Sequence, residues 1–186
     1  MNINQIDLNL PETMRNERLA ANFYTRDVLE VAPELIGKRL VRVMPDGEVA
    51  GFIITETEAY RGTGDLACHA SKGITPRTKV MFEQGGLLYM YLVYGMHWML
   101  NVVTSVQGDP QAVLIRGVEE VPGPGRVTRR LGLDRSFNEE NLFQSGRIWI
   151  EETGATPAYT PHPRIGIDYA GEYWKSRPWR FLIDEE

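Results

Sequence analysis

Two glutamates one residue apart, in the stretch ITETEAYRG, carry the most chemically suggestive spacing in the chain. On a β-strand Glu56 and Glu58 project to one face, and Tyr60 joins them if the strand runs that far. Like charges on one face repel unless water, a cation or a proton stands between them. The preceding GFII run places one carboxylate at the edge of the core. There it is either a structural acceptor for backbone or arginine donors, or a general base. Paired carboxylates are also the device of glycosidases, in which one acid protonates the leaving group. A carbohydrate-active hydrolase using Glu56 and Glu58 therefore stays open.

The segment LLYMYLVYGMHWMLN packs three tyrosines, a tryptophan and a histidine into fifteen residues (Leu87 to Asn101) with hardly a charge. In strand geometry Tyr89, Tyr91 and Val93 share one side, and Met90, Leu92 and Tyr94 the other. The core can take one set, which leaves the other as an exposed aromatic stripe. Aromatic packing in the core explains most such segments; exposed rings on a nucleic-acid protein stack on an unpaired base or wedge into a duplex. In ACHASKGITPRTKVMF, Cys68 and His69 are a poor nucleophile–base pair, because adjacent residues on a strand face opposite ways. Basic residues gather in three groups: Lys72, Arg77 and Lys79; Arg126, Arg129, Arg130 and Arg135; and Arg164, Lys175, Arg177 and Arg180. Their plainest reading is solvated surface. Gly123-Pro124-Gly125 reads as a tight turn, or as a backbone phosphate contact opening a helix.

The elements that must hold these residues are short. From Thr25 as N-cap, the spacing of Val28, Leu29, Ala32 and Ile36 predicts a helix that Gly37 stops. KRLVRVM and EVAGFIITETEAY form a hairpin about Pro45-Asp46-Gly47. LLYMYLVY, LNVVTSV and QAVLIRGVE follow as strands, with Gly-Asp-Pro turning into the last. VTRRLGL suits a short helix, and GRIWIEE and PWRFLI further strands. Strands in hairpin succession predict an α+β domain with an antiparallel sheet. The first twenty-two residues read as an arm, and residues 23–186 as the domain.

The chain has 186 residues, 42% hydrophobic and 24% charged, with a net charge of −5. That length fits one domain with a real core. The acidic total argues mildly against nucleic acid, although local placement of charge decides binding. No apolar run approaches a membrane span, and the N-terminus lacks the pattern of a signal peptide. A single cysteine fits a reducing cytoplasm. Three scattered histidines show no metal-ligand spacing, and GxxxxGK[ST], GxGxxG and GxSxG are absent. Neither a metal nor a cofactor is expected.

In order, ETEAYRG, ACHASKGITPRTKVMF, LYMYLVYGMHWMLNVV, AVLIRGVE, GPGRVTRRLG, PRIGIDYAGE and PWRF resemble the alkyladenine (3-methyladenine) DNA glycosylases of the human type, from about Thr25 to the C-terminus. The resemblance implies a single α+β domain with a curved antiparallel sheet. It also implies a monofunctional glycosylase of base excision repair that flips damaged purines out of duplex DNA. By the matched motifs, Glu58 is the base and Arg116 helps it hold the attacking water. Tyr60, His69 and Tyr91 form the base pocket, and Asn101 obstructs the amino group of normal guanine. Tyr94 is the wedge, with Met96 beside it. Lys79, Arg126, Arg129 and Arg130 are candidates for phosphate contacts. A monomer in the cytoplasm, on the nucleoid if bacterial, would suit one small enzyme on one duplex. A non-catalytic DNA-binding module is the remaining alternative. Two departures are local: only GVEEVPGPG joins the LIR segment to the GPG turn, and His97 follows YGM, either to contact the DNA backbone or to pack.

Overall fold

The computed structural model describes residues 18–184, so most of the expected arm lies outside the described residues. At the edge of that region Leu19 is buried, and its N–H donates to the Ile150 carbonyl at 2.9 Å. Helix α1 spans Ala21–Tyr24 and α2 Val28–Glu34. The cap of α2 is Asp27, not Thr25. The Asp27 carboxylate accepts the Leu29 N–H at 2.9 Å, whereas the Thr25 hydroxyl turns back to the Asn22 carbonyl and closes α1. An ionised acceptor at a helix start is the stronger cap.

The hairpin about Pro45-Asp46-Gly47 joins β1 (Arg39–Val43) to β2 (Val49–Arg61). Gly47 takes φ of 90°, which a side chain would disfavour. Only the first part of β2 pairs with β1. From Ile54 onward it pairs with β5 (Gln111–Val118) on one side, and through Glu56, Thr57 and Glu58 with β9 (Arg180–Ile183) on the other. Strands β3 (Leu88–Val93) and β4 (His97–Thr104) form the second hairpin. Strand β6 (Val121–Pro122) pairs with β5, β7 (Ile148–Glu151) with β1 and β8 (Tyr159–His162) with β9. The order is β3-β4-β5-β2-β1-β7, nine strands counting β6, β8 and β9. Every pairing of named strands is antiparallel among the described residues, which gives the α+β class expected. Helix α3 spans Pro124–Arg130 and α4 Glu172–Lys175.

Several boundaries differ from the sequence reading. Helix α3 starts at Pro124 rather than Val127, because proline suits the first helical position. Strands β6 and β8 and helix α4, with two to four residues each, are too short to show a period. The tyrosine-rich strand β3 is not half core and half stripe. Leu88 and Met90 enter the main core with Leu100, Val113 and Ile115. Tyr89, on the other face, is buried in a second cluster with Cys68, Val80, Met81 and Val103, and Tyr91 packs against it. Both faces are covered at the start of the strand, and exposed side chains emerge only near its tip.

Candidate active site

Around Glu56 the β2–β5 register steps twice: Ile54 opposes Val118, Glu56 opposes Gly117, and Thr57 opposes Ile115. Thr55 and Arg116 are thereby surplus to the ladder. Bulges of this kind re-aim side chains. A Cβ on Gly117 would stand 3.1 Å from the Thr55 hydroxyl and 3.2 Å from the Glu56 Cβ, so glycine lets the strands close at the step. Arg116 Nε donates to Glu56 Oε1 at 3.1 Å, and its Nη1 lies 3.4 Å from Glu58 Oε1. Arg180 Nη1 donates to the same Glu56 oxygen at 2.9 Å. The two glutamates, on one face, thus meet through Arg116. Both arginines meet Glu56 at the one oxygen, Oε1.

Glu58 has no exposed surface. Its Oε2 accepts the Tyr60 hydroxyl at 2.8 Å, and its Oε1 accepts the Ile165 N–H at 2.8 Å. Burial pushes its pKa up, against the pull of Arg116, the Ile165 amide and Tyr60, with Glu56 adding to the rise. The net shift is upward. Tyr60, Arg116 and Ile165 all line a cavity of about 450 Å³, and Glu58 sits one layer behind them.

The same cavity gathers His69, Tyr91 and Asn101. His69 meets Tyr91 edge-on at 4.7 Å, and its Nδ1 lies 2.9 Å from the Tyr89 hydroxyl. Burial, then Arg77 and Lys72, lowers its pKa to about 4, so the ring is neutral at pH 7. Asn101 is buried, and its amide donates to the carbonyls of Tyr89 at 3.1 Å and Met99 at 3.4 Å. Arg77 Nε donates to the Tyr89 hydroxyl at 3.2 Å, and the Arg77 guanidinium carbon stands 5.0 Å from the Tyr91 ring centre. Sequence reasoning left Tyr89, Arg77 and Ile165 out of the site. The first two lay in quoted motifs without a distinguishing signal; Ile165 contributes a backbone N–H, which residue type does not advertise.

Tyr94 lies between β3 and β4 at φ of 52°, 87% exposed, and Met96 is also exposed. A bulky residue held left-handed in solvent gains nothing from packing. The candidate phosphate contacts are scattered. Lys79 pairs with Glu139 at 3.1 Å. Pro124, at the start of α3, lines the cavity, and Arg126 and Arg129 are exposed along that helix. Arg130, at its far end, stands 5.1 Å from the Phe52 ring centre. His97 packs against Gly125, where a Cβ would come within 3.1 Å of its ring. The Cys68 thiol is buried, with its pKa pushed up to about 12, and is no nucleophile at neutral pH. The solvated-surface reading fails for Arg164, which is buried against Asp65.

A family model for methylpurine-DNA glycosylases matches residues 22–122 and 120–186. Similar curated proteins, each bearing 3-methyladenine DNA glycosylase as a provisional name, come from Methanocella arvoryzae, Myxococcus xanthus and Wolbachia pipientis. The first is 44% identical over 183 residues, covering 88% of this chain and 90% of the relative. The second is 45% identical over 176 residues, with 89% of each covered. The third is 42% identical over 179 residues, covering 92% and 97%. The chain belongs to the methylpurine-DNA glycosylase family, a family of N-glycosyl hydrolases. Among the described residues no helix is long and apolar enough to cross a membrane.

Proposed function

We propose that the protein excises alkylated or deaminated purines from duplex DNA. The damaged nucleotide swings out of the stack into the cavity, and water activated by Glu58 hydrolyses the N-glycosidic bond. The observation that carries this reading is a fully buried carboxylate, held by Tyr60, Arg116 and the Ile165 amide, directly behind an aromatic-lined cavity. A purine alkylated at N3 or N7 is cationic and leaves readily, so little general acid is needed. An aromatic face favours such a ring by about 0.5–2 kcal/mol. Both rings line the cavity, with Arg164 4.9 Å from the Tyr60 ring centre and Arg77 5.0 Å from that of Tyr91.

In the reacting complex the C1′–N bond breaks with its electron pair passing to the base. The water oxygen bonds to C1′, and the water proton passes to Glu58. A carboxylate oxygen accepts two hydrogen bonds, and Oε2 receives only Tyr60 among the described residues. Water can therefore reach it if the cavity side opens when the nucleotide enters. The ionised carboxylate also stabilises the oxocarbenium-like sugar, and Arg116 keeps that carboxylate from being isolated in the interior. Among the described residues no lysine lines the cavity, and a monofunctional enzyme without a Schiff base needs none. The neutral His69 serves as a hydrogen-bonding wall, and the fixed Asn101 amide obstructs the amino group of guanine. The protein acts as a monomer on one duplex, within the cytoplasm.

The test is a panel of duplexes bearing 3-methyladenine, 7-methylguanine or hypoxanthine, assayed for free base by chromatography. Free purine without strand cleavage is expected. Binding without release would make the protein an inert module, and sugar release from polysaccharides would favour the carbohydrate alternative. Tyr94→Ala should slow excision from duplex by about tenfold or more, since an inserted ring offsets part of an unstacking cost of a few kcal/mol. The loss should shrink on a single-stranded substrate; equal rates of variant and wild type on duplex would remove the wedge role.

A further inference from the structure

Arg164 and Asp65 form an ion pair with no exposed side-chain surface. The two guanidinium ends donate to separate carboxylate oxygens, Nη1 to Oδ2 at 2.6 Å and Nη2 to Oδ1 at 2.9 Å. Nη1 also donates to the Ala59 carbonyl at 2.9 Å, between Glu58 and Tyr60 on β2. The plane of Arg164 is flanked by aromatic rings, with Tyr60 at 4.9 Å and Trp179 at 5.0 Å. Beyond Trp179, Arg177 stands 6.0 Å from that ring and 4.0 Å from Tyr173 at the surface. Rings and cations alternate from the surface to the wall of the cavity.

Two of the donors to Glu58 are attached to this arrangement. Tyr60 rests on Arg164 and gives its hydroxyl to Oε2. Ile165, the next residue after Arg164, gives its N–H to Oε1. We propose that Arg164, clamped by Asp65, is a positioning residue that holds the Tyr60 hydroxyl and the Ile165 amide on Glu58 and so keeps the carboxylate ionised for catalysis. The proposal rests on Glu58 being the water-activating base. An isolated buried cation would be costly; the bidentate pair offsets part of that cost, with Nε left without a hydrogen-bond partner among the described residues, and fixes an orientation that lysine cannot reproduce. The charged and titratable groups facing Glu58 are Glu56 and Tyr60 on β2, Arg116 on β5, Tyr91 on β3 and, across the β2–β9 ladder, Arg180. Arg164 changes none of these charges. It acts through the placement of Tyr60 and Ile165, while burial works against the ionised form.

The experiment is single-turnover purine release from a hypoxanthine-containing duplex across pH, for wild type, Arg164→Lys and the double variant Asp65→Asn/Arg164→Gln. Lysine keeps the charge and loses the two-pronged geometry; the double variant leaves no buried charge without its partner. For each, the acid limb should move up by about one pH unit, the effect of weakening the interactions that favour the charged carboxylate. The rate below the limb should fall about tenfold and recover on the alkaline side. A rate reduced by one factor at every pH, or an unmoved limb, overturns the inference. So does failure of both variants to fold by circular dichroism, which would make the pair a folding element only. The glycosylase reading fails separately, if wild type releases no purine or Glu58→Gln cuts at the wild-type rate.

Discussion

Glu58→Gln loses about 10²–10⁴-fold of the single-turnover excision rate, the usual worth of positioned proton transfer, while damaged duplex is still bound. Glutamine fills nearly the same volume; its carbonyl oxygen can accept the Ile165 N–H while its NH2 donates to a turned Tyr60 hydroxyl, so the pocket persists without its base. The pH dependence follows from burial. The folded carboxyl titrates above the ordinary 4.5, so protonation on the acid side removes the base and the rate falls as pH drops through that raised value. Stability moves the other way. A raised folded pKa means the native state binds this proton more tightly than the unfolded chain, so the contribution of Glu58 is lost as pH rises through it. The variant should therefore melt at or above the wild-type midpoint at pH 7, with the difference shrinking on acidification. A midpoint below wild type at every pH would show that the ionised carboxylate is chiefly a structural partner of Arg116.

Arg116→Met should be the most destabilising single change at the site. Methionine fits the volume, but Glu58 loses its only cation within ion-pair distance among the described residues, and Glu56 keeps Arg180 alone. Removing one partner of a buried pair costs about 3–5 kcal/mol, measurable by urea unfolding at pH 7. Part of that loss should return at lower pH, where the stranded carboxyl takes up a proton. Excision should fall with it, even under conditions where the variant is folded. A loss below about 0.5 kcal/mol, the range of ordinary surface substitutions, would mean that Arg116 is not needed to hold the carboxylates together.

Much of this was legible in the sequence. Period-two spacing in ITETEAYRG put Glu56, Glu58 and Tyr60 on one face, and Pro45-Asp46-Gly47 marked the hairpin that leads there. Cys68 next to His69 was correctly discounted. The β3 alternation separated Tyr89 and Tyr91 from Met90, yet it could not reveal that both faces are covered, because the second cluster is assembled from residues far away in the chain. The bulge at Arg116 was hidden for a related reason: register belongs to a pair of strands, and one strand alone does not display it. Arg164 looked like one more surface base because pairing with Asp65 spans a long sequence separation. Thr25 and Asp27 were both acceptable caps by type, and the carboxylate won.

Strand β2 supplies the proposed water-activating acid at the centre of the sheet, with neighbours on both sides, whereas Tyr91, His69 and Asn101 come from other segments. Reaction and recognition therefore meet on β2 through Tyr60, and the rest of recognition has its own structural addresses. Drift or engineering at the recognition addresses can retune which lesion is admitted while the hydrolytic apparatus stays intact. Divergence within such a lineage should then accumulate in appetite rather than in chemistry.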